Sequence, residues 1–192
     1  MEYPAVLQRA KAENAVIFWG DETGVTNREN HERGFAPRGQ TPIVTMESKQ
    51  ERMNMISAIS ADGMVRFMLY EDNMTQQRLL AFMRRLAADS KRKIFLILDN
   101  LKVHHGKIVA AWLEKHQDKI EVFFLPPYSP ELNPDEYLNH ALKRDVHSGC
   151  LPVSTQDISH KIRSFLGRLQ RNPGRVSAFF HHPAVSYISM QK

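Results

Sequence analysis

The sequence predicts an α/β fold: one mixed five-stranded sheet with helices on both faces. Three observations carry this. Two strand-like runs, Met53 to Ser60 and Met64 to Tyr70, are joined by Ala61-Asp62-Gly63, and Asp-Gly between apolar runs is a strong hairpin signal. Ile94-Phe95-Leu96-Ile97-Leu98 is continuously apolar, as a central strand covered on both faces must be. Beyond it, strand-like and helix-like segments alternate, the pattern of parallel strands joined by crossovers. A chain of 192 residues, 42% of them hydrophobic, suffices for one domain with a sizeable core.

The elements follow in order. Residues 1–14 are polar and mixed in charge, and read as a lead-in to a single domain over 15–192 rather than as a signal peptide. Ala15 to Trp19 is a short buried strand, and Asp21 stands at its carboxyl end. A polar, Gly-, Pro- and Arg-rich stretch reads as a loop insert over about residues 24–50, with a small hairpin within it. Thr75 to Ala88 has helical periodicity, with Leu79, Leu80, Phe82, Met83 and Leu86 on one face and Thr75 as N-cap. His105 to His116 is a helix and Ile120 to Leu125 a strand stopped by Pro126-Pro127. Asn133 to His147 is a helix with Asn133 at the N-cap and Pro134 at its first position. Thr155 to Arg171 is amphipathic, and a last short helix is expected near Val176 to Phe180.

Composition narrows the function classes. No apolar run approaches the roughly 18 residues of a membrane span. One cysteine, Cys150, excludes an intramolecular disulfide framework and fits a reducing, cytoplasmic compartment. The net charge of +5 is unevenly spread: residues 1–157 hold 20 basic and 21 acidic residues, whereas residues 158–192 hold six basic residues and no acid. Such a split suits a polyanionic partner near an acidic centre.

The acidic candidates are Asp21, Asp99 and Glu136, each at the end of an element and able to converge on one metal site. Read alone, each has a plain alternative. Asp21-Glu22-Thr23-Gly24 and Asp99-Asn100 are turn-like, and Asn133-Pro134-Asp135-Glu136 fits a capping box in which Glu136 reaches back to the N-cap. Strand alternation puts Asp21 on the side of Ile17 and Trp19, and Glu22 on the other. Glu136, Asn139, His140, Lys143 and His147 fall along one helical stripe, suited to holding metal and touching phosphate. Adjacent histidines on a helix point about 100° apart. With no His-x-x-x-His and no cysteine cluster, His104-His105 is not a zinc pair. Oxygen ligands imply magnesium or manganese instead. His181-His182 reads as surface or packing.

Three stretches resemble one family. Gly20-Asp21-Glu22-Thr23-Gly24, Leu98-Asp99-Asn100 followed by His104-His105, and Leu125-Pro-Pro-Tyr-Ser-Pro-Glu-Leu-Asn-Pro-Asp-Glu136-Tyr137 are similar to the DDE transposases of the mariner superfamily, most of all its bacterial insertion-sequence branch. The long Pro-Pro-Tyr-Ser-Pro-x-Leu-Asn-Pro element is the most specific of them. The resemblance covers about Ala15 to Tyr187 and includes Pro37-Arg38-Gly39-Gln40-Thr41-Pro42. It implies an RNase H-like fold and a catalytic, metal-holding triad of Asp21, Asp99 and Glu136, with Glu136 preferred to Asp135 and 36 residues between Asp99 and Glu136. Asn100, His104, His105, Asn139 and Lys143 are expected in supporting roles.

The expected activity is cleavage and strand transfer of double-stranded DNA by in-line attack, with two Mg2+ or Mn2+ ions per site. Lys143, Lys161, Arg168 and Arg171 are the expected DNA contacts. A homodimer is implied, because two element ends are cut. Family members also carry an N-terminal helix-turn-helix that reads terminal repeats. None fits in residues 1–14, so a catalytic domain without that reader is expected. A stand-alone RNase H-like nuclease and an inactive DNA-binding remnant are the alternatives.

Overall fold

A computed structural model describes residues 3–28, 37–40, 49–100 and 106–188. Helix α1 (Tyr3–Ala12) is followed by β1 (Val16–Thr26), β2 (Arg52–Ile59), β3 (Val65–Tyr70), α2 (Gln76–Ala88), β4 (Ile94–Leu98), α3 (Lys107–Glu114), β5 (Ile120–Phe124), α4 (Pro134–Val146), α5 (Thr155–Gln170) and α6 (Pro173–Ala178). The strands form one five-stranded sheet in the order β3-β2-β1-β4-β5. β1, β2 and β3 pair antiparallel, whereas β4 runs parallel to both β1 and β5. The expected mixed sheet with helices on both faces is therefore present.

The two faces of β1 divide the core. Val16 and Phe18 pack with α2 and α3 through Leu79, Phe82, Met83, Leu86 and Val109. Trp19 and Val25 pack with α4, α5 and α6 through Leu138, Leu142, Ile162, Leu166 and Val176. β4 has all five residues buried, because its alternate side chains enter both layers. No helix among the described residues is long and apolar enough to cross a membrane.

The hairpin between β2 and β3 follows its sequence signal. The Gly63 N–H donates to Ser60 O at 2.9 Å, and Ser60 N–H donates to Met64 O at 3.0 Å across the loop. Gly63 sits at φ 89°, the left-handed position that closes a three-residue hairpin. A Cβ on Gly63 would also lie 2.6 Å from Pro173 at the start of α6, so backbone conformation and packing both demand glycine there. Thr75 caps α2 by accepting from Arg78 N–H, as its sequence indicates.

Two expectations on element bounds are corrected, and the lead-in contains a helix. α1 buries Val6 and Ala10 against Ala15, Phe95 and Phe123, and Tyr3 against Trp19 and Tyr187. Its charged face completes the attachment, with Arg9 and Lys93 bridging Glu13 and Glu121 at 2.5–3.0 Å. β1 is an 11-residue strand rather than a five-residue one, so the insert begins after Thr26. Pairing with β2, whose residues 52–59 face Trp19 to Thr26, overrides the turn propensity of Asp21-Glu22-Thr23-Gly24. Asn27 then ties the ends of the insert together, donating to Lys49 O and accepting from Glu51 N–H, each at 3.0 Å. The hairpin expected within the insert lies outside the described residues, as do His104 and His105.

Candidate active site

β1 pairs with β4 only from Val16 to Trp19, with Trp19 opposite Ile97. Asp21 and Asp99 each lie two residues beyond that last pair, where the β1–β4 ladder has ended. Alternation along β1 puts Asp21 on the α4 face, with Trp19. Asp21 is thus not at the carboxyl end of its own strand, as the sequence suggests, but at the end of its parallel pairing. On its other side, Asp21 is opposite Ser57 of β2. Close approach is required here: a Cβ on Gly20 would lie 2.9 Å from Leu98 Cδ2 and 3.0 Å from Ser57 O.

The third carboxylate arrives on α4. Asn133 is its N-cap, accepting from Asp135 N–H at 3.1 Å, while its own amide donates to Gly20 O at 3.0 Å. The helix start is therefore fastened to the residue before Asp21. Glu136 does not close a capping box: among the described residues its carboxylate accepts no hydrogen bond. It is half-buried and, with Asp21 and Asp99, lines a cavity of about 620 Å³. Asn100, Asn133 and the Pro126–Pro130 loop complete the lining, and Tyr128 stands at its rim, fully exposed at φ 56°.

Asp135 goes the other way. It is 0% exposed, accepts from Ser57 Oγ–H at 2.7 Å, and leaves Oδ1 without a partner among the described residues. Asn139, also buried, donates to Asp21 Oδ2 at 2.8 Å and has Oδ1 unpartnered. Burial, then the Glu136 and Asp99 charges, push Asp21 up to about 8, against the hydrogen bonds it accepts from the Glu22 backbone and Asn139. Burial and the neighbouring Asp21 hold Asp135 well above the usual carboxylate range.

The helical stripe is divided by this packing. Glu136 faces the cavity and Asn139 lies beneath it, while His140 is exposed elsewhere and Lys143 is half-buried outside the cavity lining. His147 is structural, its ring nitrogens 2.7 Å from the carbonyl oxygens of Lys143 and Thr26. The expected basic face of α5 is divided too. Lys161 donates to the carbonyls of Val146, at 2.8 Å, and Cys150, capping the end of α4. Arg168 reaches both oxygens of Asp145 at 2.7 Å. Arg171 is exposed.

Two groups escaped the sequence reading: Ser57 and the inward role of Asp135. The signal for Ser57 was a polar residue in the otherwise apolar run Met55-Ile56-Ser57-Ala58-Ile59. Asp135 had no such signal, since an acid in a first helical turn is ordinary.

The donor set suits a hard divalent cation: all ligand atoms would be carboxylate or amide oxygens. Like charges crowded at a buried Asp21, with no cationic partner for it among the described residues, are what a cation would neutralise. Among the described residues, no three Asp, Glu, His or Cys side chains already stand close enough to hold an ion. Asp21, Asp99 and Glu136, which line the same cavity, are the carboxylates that could hold such an ion.

Comparison with known proteins agrees with this architecture. The chain is 27% identical over 171 residues to the insertion element IS630 uncharacterized 39 kDa protein of Shigella sonnei, covering 88% of this chain and 49% of that protein. It thus spans about half the length of that relative. The catalytic domain of Mos1 mariner transposase superposes with a TM-score of 0.60 at 16% identity, over 95% of this chain and 88% of that one. A pre-cleavage Mos1 transpososome gives a TM-score of 0.66 at 17% identity, over 95% of this chain and 59% of that one. The fold is the RNase H-like one expected. A family model, DDE superfamily endonuclease, matches residues 16–157, and by that match over most of its length the chain belongs to the DDE superfamily endonucleases.

Proposed function

We propose that the chain is the catalytic part of a DDE transposase, cutting and rejoining phosphodiesters of double-stranded DNA, with Asp21, Asp99 and Glu136 as the catalytic and metal-binding triad. The observation that carries this reading is the cavity that Asp21, Asp99 and Glu136 line together, with the Glu136 and Asp99 charges acting on buried Asp21. Three carboxylates brought together from β1, β4 and α4 have no packing purpose that would offset their mutual repulsion.

Two Mg2+ or Mn2+ ions, when bound, supply activation of the attacking oxygen and neutralisation of the leaving one. The residues of the chain do the rest. Asn139 and the clamp of Asn133 and Asp135 fix Asp21 against α4, so that the triad is presented on rigid elements. The Pro126–Pro130 loop, with Tyr128 at its rim, shapes the entrance for the strand to be cut. In the reaction, an oxygen of water or of a DNA 3′-hydroxyl gives up its proton to solvent and bonds to phosphorus, the opposite P–O bond breaks, and the leaving oxygen takes up a proton and departs as the hydroxyl of the strand end. Lys143 and Arg171 act as phosphate contacts, Asn100, His104 and His105 support the second aspartate, and a homodimer pairs two element ends.

The test is nicking and strand transfer on a duplex ending in the element's terminal repeat, with and without Mg2+ or Mn2+. Metal-dependent nicking and joining support the proposal. Cleavage confined to RNA–DNA hybrids would replace it with an RNase H-like nuclease. DNA binding without any cleavage would leave an inactive remnant.

A further inference from the structure

A second cavity lies around α4 from the carboxylates. Its volume is about 670 Å³, and Tyr137, His140 and Arg144 of α4 face Phe179, His181 and His182 across it. Among the described residues, no carboxylate lines it. It begins one residue after Glu136 and follows two turns of α4, about 10 Å at 1.5 Å per residue.

The Tyr137 hydroxyl donates to Glu131 O at 3.1 Å, while Arg144 and the histidines present polar groups to solvent. Arg144 is exposed and has no carboxylate partner among the described residues. The neighbouring acid on the same helix, Asp145, is engaged by Arg168, so the groove keeps its positive character. His182 Nδ1 accepts from Ala184 N–H at 3.3 Å, which leaves Nε2 as the donating nitrogen. The His182 ring is held by stacking on Tyr137, centroids 4.2 Å apart and 28° between planes. His140 and His181 are exposed. A groove of fixed donors without acids is complementary to phosphate oxygens.

We propose that this groove receives the sugar–phosphate backbone of the DNA strand adjoining the one in the carboxylate cavity, with Arg144 and His182 as its phosphate contacts. The inference rests on the DNA-cleaving reading above. Of the expected α5 contacts, Lys161 and Arg168 are engaged within the fold, and the groove adds to the exposed Arg171.

The test is fluorescence anisotropy with a labelled DNA duplex, measured over a range of salt for the full chain and its variants. Each lost phosphate contact flattens the slope of log K against log [salt] by about 0.9. Arg144→Gln is expected to flatten it by about that amount and weaken binding several-fold at moderate salt, and Arg144→Lys to restore the slope. His182→Ala is expected to weaken binding, with the far-UV circular dichroism of the native chain retained. Arg84→Gln, the same charge loss on exposed α2 across the sheet, is expected to bind like the native chain. Native affinity and slope in both Arg144→Gln and His182→Ala, with metal-dependent nicking intact, would overturn the groove and spare the DNA-cleaving reading. No duplex binding by the native chain would overturn both.

Discussion

The side-chain amide of Asn139 donates to Asp21 Oδ2 at 2.8 Å, joining the second turn of α4 to the middle of β1. The contact aims one carboxylate from the helix that also supplies Glu136. Asn139→Leu keeps the side chain's size and removes the donor. Its metal-dependent nicking is expected to fall by about 10–100-fold, the range typical when a ligand loses its orienting partner. The metal concentration for half-maximal activity should rise at the same time. A variant with unchanged metal dependence would show that the contact only fills space.

Asp135 and Ser57 make a structural pair beneath the site, 2.7 Å apart. Asp135→Ala leaves the Ser57 hydroxyl without its buried acceptor, at a cost of about 1–3 kcal/mol. A large drop in the urea midpoint is expected. Asp135→Asn keeps an acceptor oxygen and should recover most of the loss while retaining nicking. If Asp135→Asn abolished activity in a folded protein, Asp135 would belong among the catalytic carboxylates.

Gly63 offers a stability test far from the chemistry. Alanine there meets both a φ of 89° and Pro173 2.6 Å from its Cβ. Gly63→Ala is expected to cost about 1–3 kcal/mol, seen as a lower Tm, whereas Asp62→Ala in the same exposed turn should change Tm little. Equal effects would remove the conformational argument.

The pH dependence of the metal-free protein has a definite sign. Asp21 titrates near 8 in the fold and near 3.8 in the unfolded chain. Between those values the folded state binds more protons, so this contribution is complete below about pH 4 and is lost as pH rises through 8. In chelator, Tm at pH 8 should therefore lie below Tm at pH 5. Asp21→Asn should remove much of that difference, and added Mg2+ should raise Tm at pH 8. A native chain whose Tm is unaffected by Asp21→Asn across this range would contradict the crowding of carboxylates.

Much of this was legible in the sequence because local and tertiary preferences agreed. Thr75, the apolar run of β4, Asp62-Gly63 and Asn133-Pro134 each specify in place what the fold uses. The failures occurred where a distant partner decides. Gly20 to Thr26 has turn-like residues, and β2 makes them strand. Tyr3–Ala12 is weakly patterned, and contacts with β4 and β5 make it a packed helix. Lys161 and Arg168 looked like a free basic face because their acceptors, Val146 O and Asp145, lie on another helix. The end of the β1–β4 pairing just before Asp21 and Asp99 was invisible for the same reason, since strand pairing is not written in either segment alone.

The central claim is that Asp21, Asp99 and Glu136 form one metal-dependent site and Asp135 does not. The most direct measurement is Mg2+- or Mn2+-dependent nicking of duplex DNA by Asp21→Asn, Asp99→Asn, Glu136→Gln and Asp135→Asn, each verified as folded. The first three are expected to lose nicking to background, and Asp135→Asn to retain it. Undiminished metal-dependent nicking in a folded Asp99→Asn or Glu136→Gln variant would contradict the account.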